Sequence, residues 1–230
     1  MRRVEKRKEP LCLAQERERL EALGPISGKD WDGLGTCKAE LFEALLQEQH
    51  GLCAYCCRLA TGKKSIEHFV PRSEDGSKTL TWSNLLLVCE GEYRPGGALV
   101  KTCDKKRGND KLDIPNPASA PPNFEAWFRY THTGEVLLSD HAPSEAREGL
   151  EGAIADTLNL NANTLRQARA AVIQALQRQL SQDDSSRTLQ RLWRAASVPD
   201  EKGLLESHAP TARYYLRKKF KAKGLAPPAV

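Results

Sequence analysis

The chain has 230 residues, 40% of them hydrophobic and 28% charged, with a formal net charge of +5. That balance excludes a disordered polyelectrolyte, and no apolar run approaches the ~20 residues needed to span a bilayer. The basic N-terminus, Met1 to Lys8, leads into no hydrophobic signal core, so the expectation is a cytoplasmic protein with no membrane partner.

Taken in order, Leu11 to Leu23 carries Leu13, Leu20 and Leu23 at helical spacing until Gly24-Pro25 stops it. Ser27 to Thr36 is a Gly- and Asp-rich loop anchored by Trp31. Cys37 to Gln49 predicts a stronger helix with Leu41, Phe42, Leu45 and Leu46 on one face, and Gly51 as its stop. Ser65 to Val70 predicts a short strand, Pro71 to Ser83 a polar loop, and Leu85 to Val88 a buried strand. Glu90 to Thr102 holds Pro95-Gly96-Gly97 and predicts a loop, after which a helix starts at Asp104. Four prolines between Asp113 and Asn123 forbid regular structure. Phe124 to Ser139 predicts a hairpin turning at His132 to Glu135. The rest is helical, with Ser144 and Asn163 as caps, and ends in the basic helix Thr211 to Ala222.

These elements predict an α+β chain, mainly helical, with a small metal-stapled module set between helical segments. The expected divisions are 1–51 (N-terminal helical), 52–112 (the module), 113–142 (Pro-rich connector and hairpin) and 143–230 (C-terminal helical, with a basic tail).

Seven cysteines, with Cys53, Cys56 and Cys57 crowded together, make a poor disulfide framework and a good metal framework. The gap between Cys53 and Cys56 lets two thiolates reach one ion. Their expected partners are Cys89 and Cys103, giving a closed tetrahedral structural zinc site. Thirteen residues separate that second pair, a wide gap that Pro95-Gly96-Gly97 allows to loop out. Cys57 is expected to point elsewhere, and Cys12 and Cys37 to be packing residues.

Between the thiols lie residues suited to cutting a phosphodiester. His68 is the expected general base. Glu67 and Asp104 offer hard carboxylates to Mg²⁺ or Mn²⁺. Glu67 is expected on the side of its strand away from His68 unless a kink intervenes. Asn84 is expected to hold the His68 loop, polarise the imidazole or cap a turn, and Lys105, Lys106 and Arg107 to face phosphate. From Ser207 to Val230 there is no acid, whereas Arg213, Arg217, Lys218, Lys219, Lys221 and Lys223 are basic. Charge so placed suggests a polyanionic partner, with Lys218 and Lys219 on phosphate and the interleaved aromatics in the core.

Cys53-x-x-Cys56, Glu67-His68 with Pro71, Asn84-Leu85-Leu86, and Cys89 through Cys103-Asp104 with Lys106 or Arg107 resemble the HNH endonucleases, whose fold is a zinc-stapled ββα-metal finger. Gln49 to Cys56, Ile66 to Phe69, Trp82 to Leu86, Cys103-Asp104 and Leu158 to Asn161 with Leu165-Arg166 resemble the PtuB branch. Those are the HNH subunits of Septu and some retron anti-phage systems. The likeness runs roughly from Trp31 to Arg169. It implies His68 as catalytic base, structural Zn²⁺ on the four thiols, and a PtuA-like ATPase partner. Asp104 stands where many HNH enzymes have His or Asn, and Glu67 where Asp is commoner; both keep an oxygen ligand. The function expected is metal-dependent cleavage of nucleic acid, DNA favoured and RNA or tRNA open, within a defence complex. The competing reading is a non-catalytic zinc-ribbon subunit that binds nucleic acid or docks a partner.

Overall fold

In the computed structural model, which describes residues 1–60 and 64–229 (the Pro95 side chain excepted), helices dominate and the strands form three small antiparallel pairs. The N-terminal helices are α1 (Leu11–Glu21) and α2 (Cys37–Glu48), the latter burying Leu41 and Leu45 one turn apart. Strand β1 (Lys64–His68) pairs with β2 (Leu85–Cys89), in which every residue is buried, as a fully apolar run requires. Their register sets Lys64 opposite Cys89 and His68 opposite Leu85. One ladder of five rungs therefore carries a thiol at one end and the imidazole at the other, ~14 Å apart at strand rise.

The ribbon β3 (Glu92–Tyr93) and β4 (Val100–Lys101) follows, then the short helix α3 (Cys103–Arg107). The hairpin β5 (Phe128–Tyr130) and β6 (Val136–Leu138) leads to α4 (Ser144–Gly152), which continues through a π turn at Ala153–Thr157. Helices α5 (Asn163–Gln182), α6 (Ser186–Ser197) and α7 (Ala209–Ala222) close the chain. Among the described residues no helix is long and apolar enough to cross a membrane.

One apolar core joins the N-terminal segment, the Cys53–Cys56 turn, β1–β2, the β5–β6 hairpin and α4, and a second lies between α5, α6 and α7. The C-terminal part is clasped to the Cys53–Cys56 turn by backbone. His208 donates its N–H to Cys57 O at 2.7 Å, and its Nδ1–H to Cys56 O at 3.1 Å. Leu205 N–H reaches His50 O at 3.0 Å, and Leu205 and Ala209 pack on Leu52 and Cys57.

Several expectations are corrected. Cys12 and Cys37 are bonded to each other, their Cα atoms 5.7 Å apart, and so tie α1 to α2 instead of merely packing. The Trp31 loop is a 3₁₀ turn over Gly28–Leu34, opened by a reciprocal Ser27–Asp30 capping box. The Glu90 to Thr102 stretch is the β3–β4 ribbon rather than an open loop. Pro143 and Ala162, not Ser144 and Asn163, occupy the N-cap positions of α4 and α5.

Candidate functional site

Four thiols converge at one end of the ladder. The Sγ atoms of Cys53, Cys56, Cys89 and Cys103 all lie within 4.8 Å of one another, and all four residues are buried. Cys53 and Cys103 are 3.9 Å apart, Cys56 and Cys89 3.7 Å. A tetrahedron with ~2.3 Å metal–sulfur bonds has edges of about 3.8 Å, so the spacing is that of a closed four-thiolate centre. The wide gap between Cys89 and Cys103 is closed at the base of the β3–β4 ribbon. Thr102 N–H donates to Gly91 O at 2.7 Å, and Gly91 has φ +65°, with Thr102 O only 2.4 Å from where a Cβ would stand. Cys103 itself sits at φ 52°, its N–H held by Leu158 O at 2.8 Å.

The thiol environment points to a cation. Hydrogen bonding to Cys53, Cys56 and Cys89, then burial, raises the Cys103 thiol, while hydrogen bonds from Cys103, Cys53 and Cys56 hold Cys89 low. Four thiols this close and this buried suit a dication such as zinc, which would hold them as thiolates. Cys57 takes no part, and packs with Leu52 and Leu205. Gln49, buried behind the centre, locks β2 by accepting from Leu87 N–H at 2.7 Å and donating to the Leu52 and Leu87 carbonyls.

At the other end of the ladder a cleft of about 760 Å³ is lined by Glu67, His68 and Asp104 together, with Trp31, Lys29 and Arg72. Tyr55, which lies between the two cysteines of the turn, donates to Glu67 Oε1 at 3.1 Å. Arg107 is ion-paired to the same oxygen. The Arg107 fork also holds the carbonyls of Phe69 at 2.6 Å, Asp110 at 2.8 Å and His68 at 3.3 Å. Burial, then the Asp104 carboxylate, push Glu67 up to about 8 while Arg107 pulls it back. Two acids so close need a proton or a cation between them.

His68 is buried, with its Nε2–H donating to Thr79 O at 3.0 Å and its ring edge-on to Trp31 at a centroid distance of 4.5 Å. A carbonyl only accepts, so Nε2 carries the proton and Nδ1 keeps its lone pair. Burial lowers His68 to about 4, against the Thr79 hydrogen bond and helped by Arg72. The imidazole is therefore neutral at pH 7. Asn84 accepts from Val70 N–H at 2.7 Å and donates to Val70 O and Lys78 O, both at 3.1 Å. Its amide is engaged with backbone and fixes the turn after His68.

Glu67, His68 and Asp104 thus share the cleft, and Asn84 lies beneath it. The adjacent positions of Glu67 and His68 do not separate them, because the cleft crosses the end of β1. Lys105 and Lys106 are exposed, but neither lines the cleft. Arg107 is not free for phosphate: it is 2% exposed and anchors Glu67 from below. Cys103 and Arg107 are one helical turn apart on α3 and share its inner face, which is the signal that would have found this. Lys218 and Lys219 are exposed on α7, where their ammonium groups sit over Tyr214 and Tyr215. The cations that line the cleft are Lys29 and Arg72, from loops distant in sequence.

Fold and site together define a chain in which a buried four-thiol centre, able to hold a metal, braces an acid–imidazole cleft. No protein-family model matches the chain. It is similar to the Septu protein PtuB of Bacillus thuringiensis, with 33% identity over 101 residues. The alignment covers 41% of this chain and 35% of that protein, so the chain matches about a third of its relative's length.

Proposed function

We propose that this chain is a metal-dependent HNH-type endonuclease, the effector subunit of a Septu-like anti-phage complex that includes a PtuA-like ATPase. The observation that carries the reading is the cleft itself. It unites a neutral imidazole with a free Nδ1, a carboxylate pair and two cations on a thiol-stapled frame. Similarity to a Septu PtuB protein supports the defence context and the ATPase.

In this reading His68 Nδ1 takes the proton of the attacking water, with Thr79 O holding the tautomer and Trp31 the ring plane. Arrival of a phosphate beside His68 raises the basicity that burial has lowered. Glu67 and Asp104 are the donors for a divalent ion, since their mutual repulsion is relieved by one and their oxygens suit Mg²⁺ or Mn²⁺. An ion held by those two carboxylates would supply positive charge where charge develops on the scissile phosphate. Arg107 and Tyr55 hold Glu67 through Oε1, and neither engages Oε2. Lys29 and Arg72 receive the phosphates flanking the scissile bond, with DNA favoured over RNA or tRNA. Lys105, Lys106, Lys218 and Lys219 lie outside the cleft and are further phosphate contacts in this reading.

The test is cleavage of plasmid DNA and of tRNA by purified chain, alone and with the ATPase, in Mg²⁺ and in Mn²⁺. His68→Ala is expected to lower the rate about 10²–10⁴-fold while zinc content and melting temperature stay unchanged. Cleavage at the wild-type rate by His68→Ala, or none by the wild-type complex with either metal, refutes the enzyme. Nucleic-acid binding that persists without cleavage then leaves a zinc-braced binding subunit.

A further inference from the structure

A second cleft, of about 380 Å³, lies between the N-terminal segment, the end of α2, the Pro-rich connector and α7. It is lined by Arg2, Arg3, Lys6, Arg7 and Arg213 against Glu5, Glu48 and Glu125, and it shares no residue with the Glu67–His68 cleft. Two of the three acids are already engaged. Glu48 accepts from Lys6 Nζ at 2.7 Å and Arg7 N–H at 2.8 Å. Glu125 is paired with Arg213, and with Arg217 at 3.5 Å. That leaves the guanidiniums of Arg2, Arg3 and Arg7 with the rim carboxylate of Glu5 and the field of Glu125, and Arg2 Nε donating only to Arg3 O at 3.3 Å. Among the described residues none of these three arginines has an ion-pair partner, and Arg3 Nε is buried with no hydrogen-bond partner at all.

From this geometry we infer an anion site that takes a terminal phosphate, carried by a free nucleotide or by the end of a nucleic acid. The half-buried guanidinium forks of Arg2 and Arg3, with the exposed Arg7 at the mouth, suit phosphate oxygens, which accept two N–H bonds at once, better than they suit an acidic peptide. The volume falls within the roughly 300–1,000 Å³ of small-ligand sites. The electrostatics agree. Burial, then Arg213, lower Arg2 against the opposing pull of Cys57, Glu125 and Glu5, and burial followed by Arg2, Arg7 and Arg213 lowers His50 against its hydrogen bond to Gly203. Like charges held together inside a cleft are what a bound anion relieves. The site also touches the frame of the other cleft. Lys6 Nζ donates to Leu85 O at 2.9 Å, and Leu85 pairs with His68 across the ladder. The inference does not depend on the nuclease reading.

The experiment is calorimetric titration of the zinc-loaded full chain, without Mg²⁺ and at low salt. The probes are inorganic phosphate, pyrophosphate, ATP, poly-glutamate, and one short oligonucleotide with either a phosphate or a hydroxyl at its 5′ end. A phosphate probe is expected to bind, the Arg3→Gln/Arg7→Gln variant to weaken it about tenfold or more, and His68→Ala to leave it unchanged. Glu5→Gln removes the opposing rim charge and is expected to tighten binding about threefold, a gain that misfolding cannot imitate. ATP binding assigns the site to a nucleotide; preference for the phosphorylated oligonucleotide over its hydroxyl twin, with no ATP binding, assigns it to a nucleic-acid end. The inference is overturned if no phosphate probe binds, if the double variant and Glu5→Gln both bind as wild type does, or if poly-glutamate alone binds.

Discussion

The two ends of the β1–β2 ladder are built on opposite electrostatic plans. At the Lys64–Cys89 end four thiols from three separate stretches of chain meet in a buried tetrahedron and leave no opening. At the His68–Leu85 end the groups are of several kinds, the cleft is open, and two carboxylates repel each other over an arginine that belongs to α3. Closed coordination determines where strands and turns can lie; an open, mutually repelling set is unstable by itself and depends on that frame. Tyr55 and α3 are the links. Tyr55 sits inside the Cys53–Cys56 turn and bonds Glu67, and α3 carries Cys103 at its start and Arg107 at its end. The cleft at one end is aligned by the four-thiol geometry at the other.

The largest test of that dependence removes the frame. Cys89→Ser is expected to abolish stoichiometric zinc, measured by elemental analysis, and to cost roughly 5 kcal/mol or more in urea denaturation. Cleavage should vanish with it. If zinc is lost while the melt and cleavage are kept, the two ends are independent and the comparison fails.

Next in size is the arginine beneath the acids. Arg107→Met strips the buried Glu67 carboxyl and the carbonyls of His68, Phe69 and Asp110 of their donor and is expected to cost about 3–5 kcal/mol. Zinc content should stay at the wild-type level, which separates this variant from Cys89→Ser. Adding Glu67→Gln should recover part of the loss, because both partners of the buried pair are then neutral. A double variant no more stable than Arg107→Met would mean that the carbonyls of His68, Phe69 and Asp110, rather than Glu67, are what Arg107 mainly serves.

The closed end was more legible in the sequence than the open one. Cys53-x-x-Cys56 announces a metal turn, and Cys89 and Cys103 converge with it despite their gap, because a two-stranded ribbon brings chain ends together as well as a short turn does. Helices α1 and α2 followed from apolar spacing, β2 from its unbroken apolar run, and the C-terminal part was expected to be helical as it is. At the open end Glu67, His68 and Asp104 were visible as residue types, but their supports were not. Trp31, Lys29 and Arg72 reach the cleft from loops some forty residues apart, and no local pattern encodes such an approach. Arg107 was misplaced because a run of three basic residues reads as one phosphate-facing set, whereas one turn of helix points its members in different directions. The Cys12–Cys37 bond was hidden by an odd cysteine count and a 25-residue separation.

The smallest expected effect concerns the cations at the open end, and it discriminates between two basic surfaces. Arg72 donates to Gly28 O at 2.8 Å and lies 3.4 Å from Asp32, a half-exposed pair that contributes little to stability. Arg72→Gln and Lys29→Gln should therefore leave the melt within about 0.5 kcal/mol of wild type. Each should instead lower the salt dependence of nucleic-acid binding by about one in the log–log slope and raise KM, because each removes one phosphate contact. Lys218→Gln with Lys219→Gln lies outside the cleft. That pair should flatten the binding slope with no change in kcat, whereas the cleft variants should also slow turnover at saturating substrate, since a misaligned scissile phosphate loses its line of attack on the His68 side. Equal kinetic effects from the two pairs would mean that the substrate is aligned by the whole basic surface and not by the cleft.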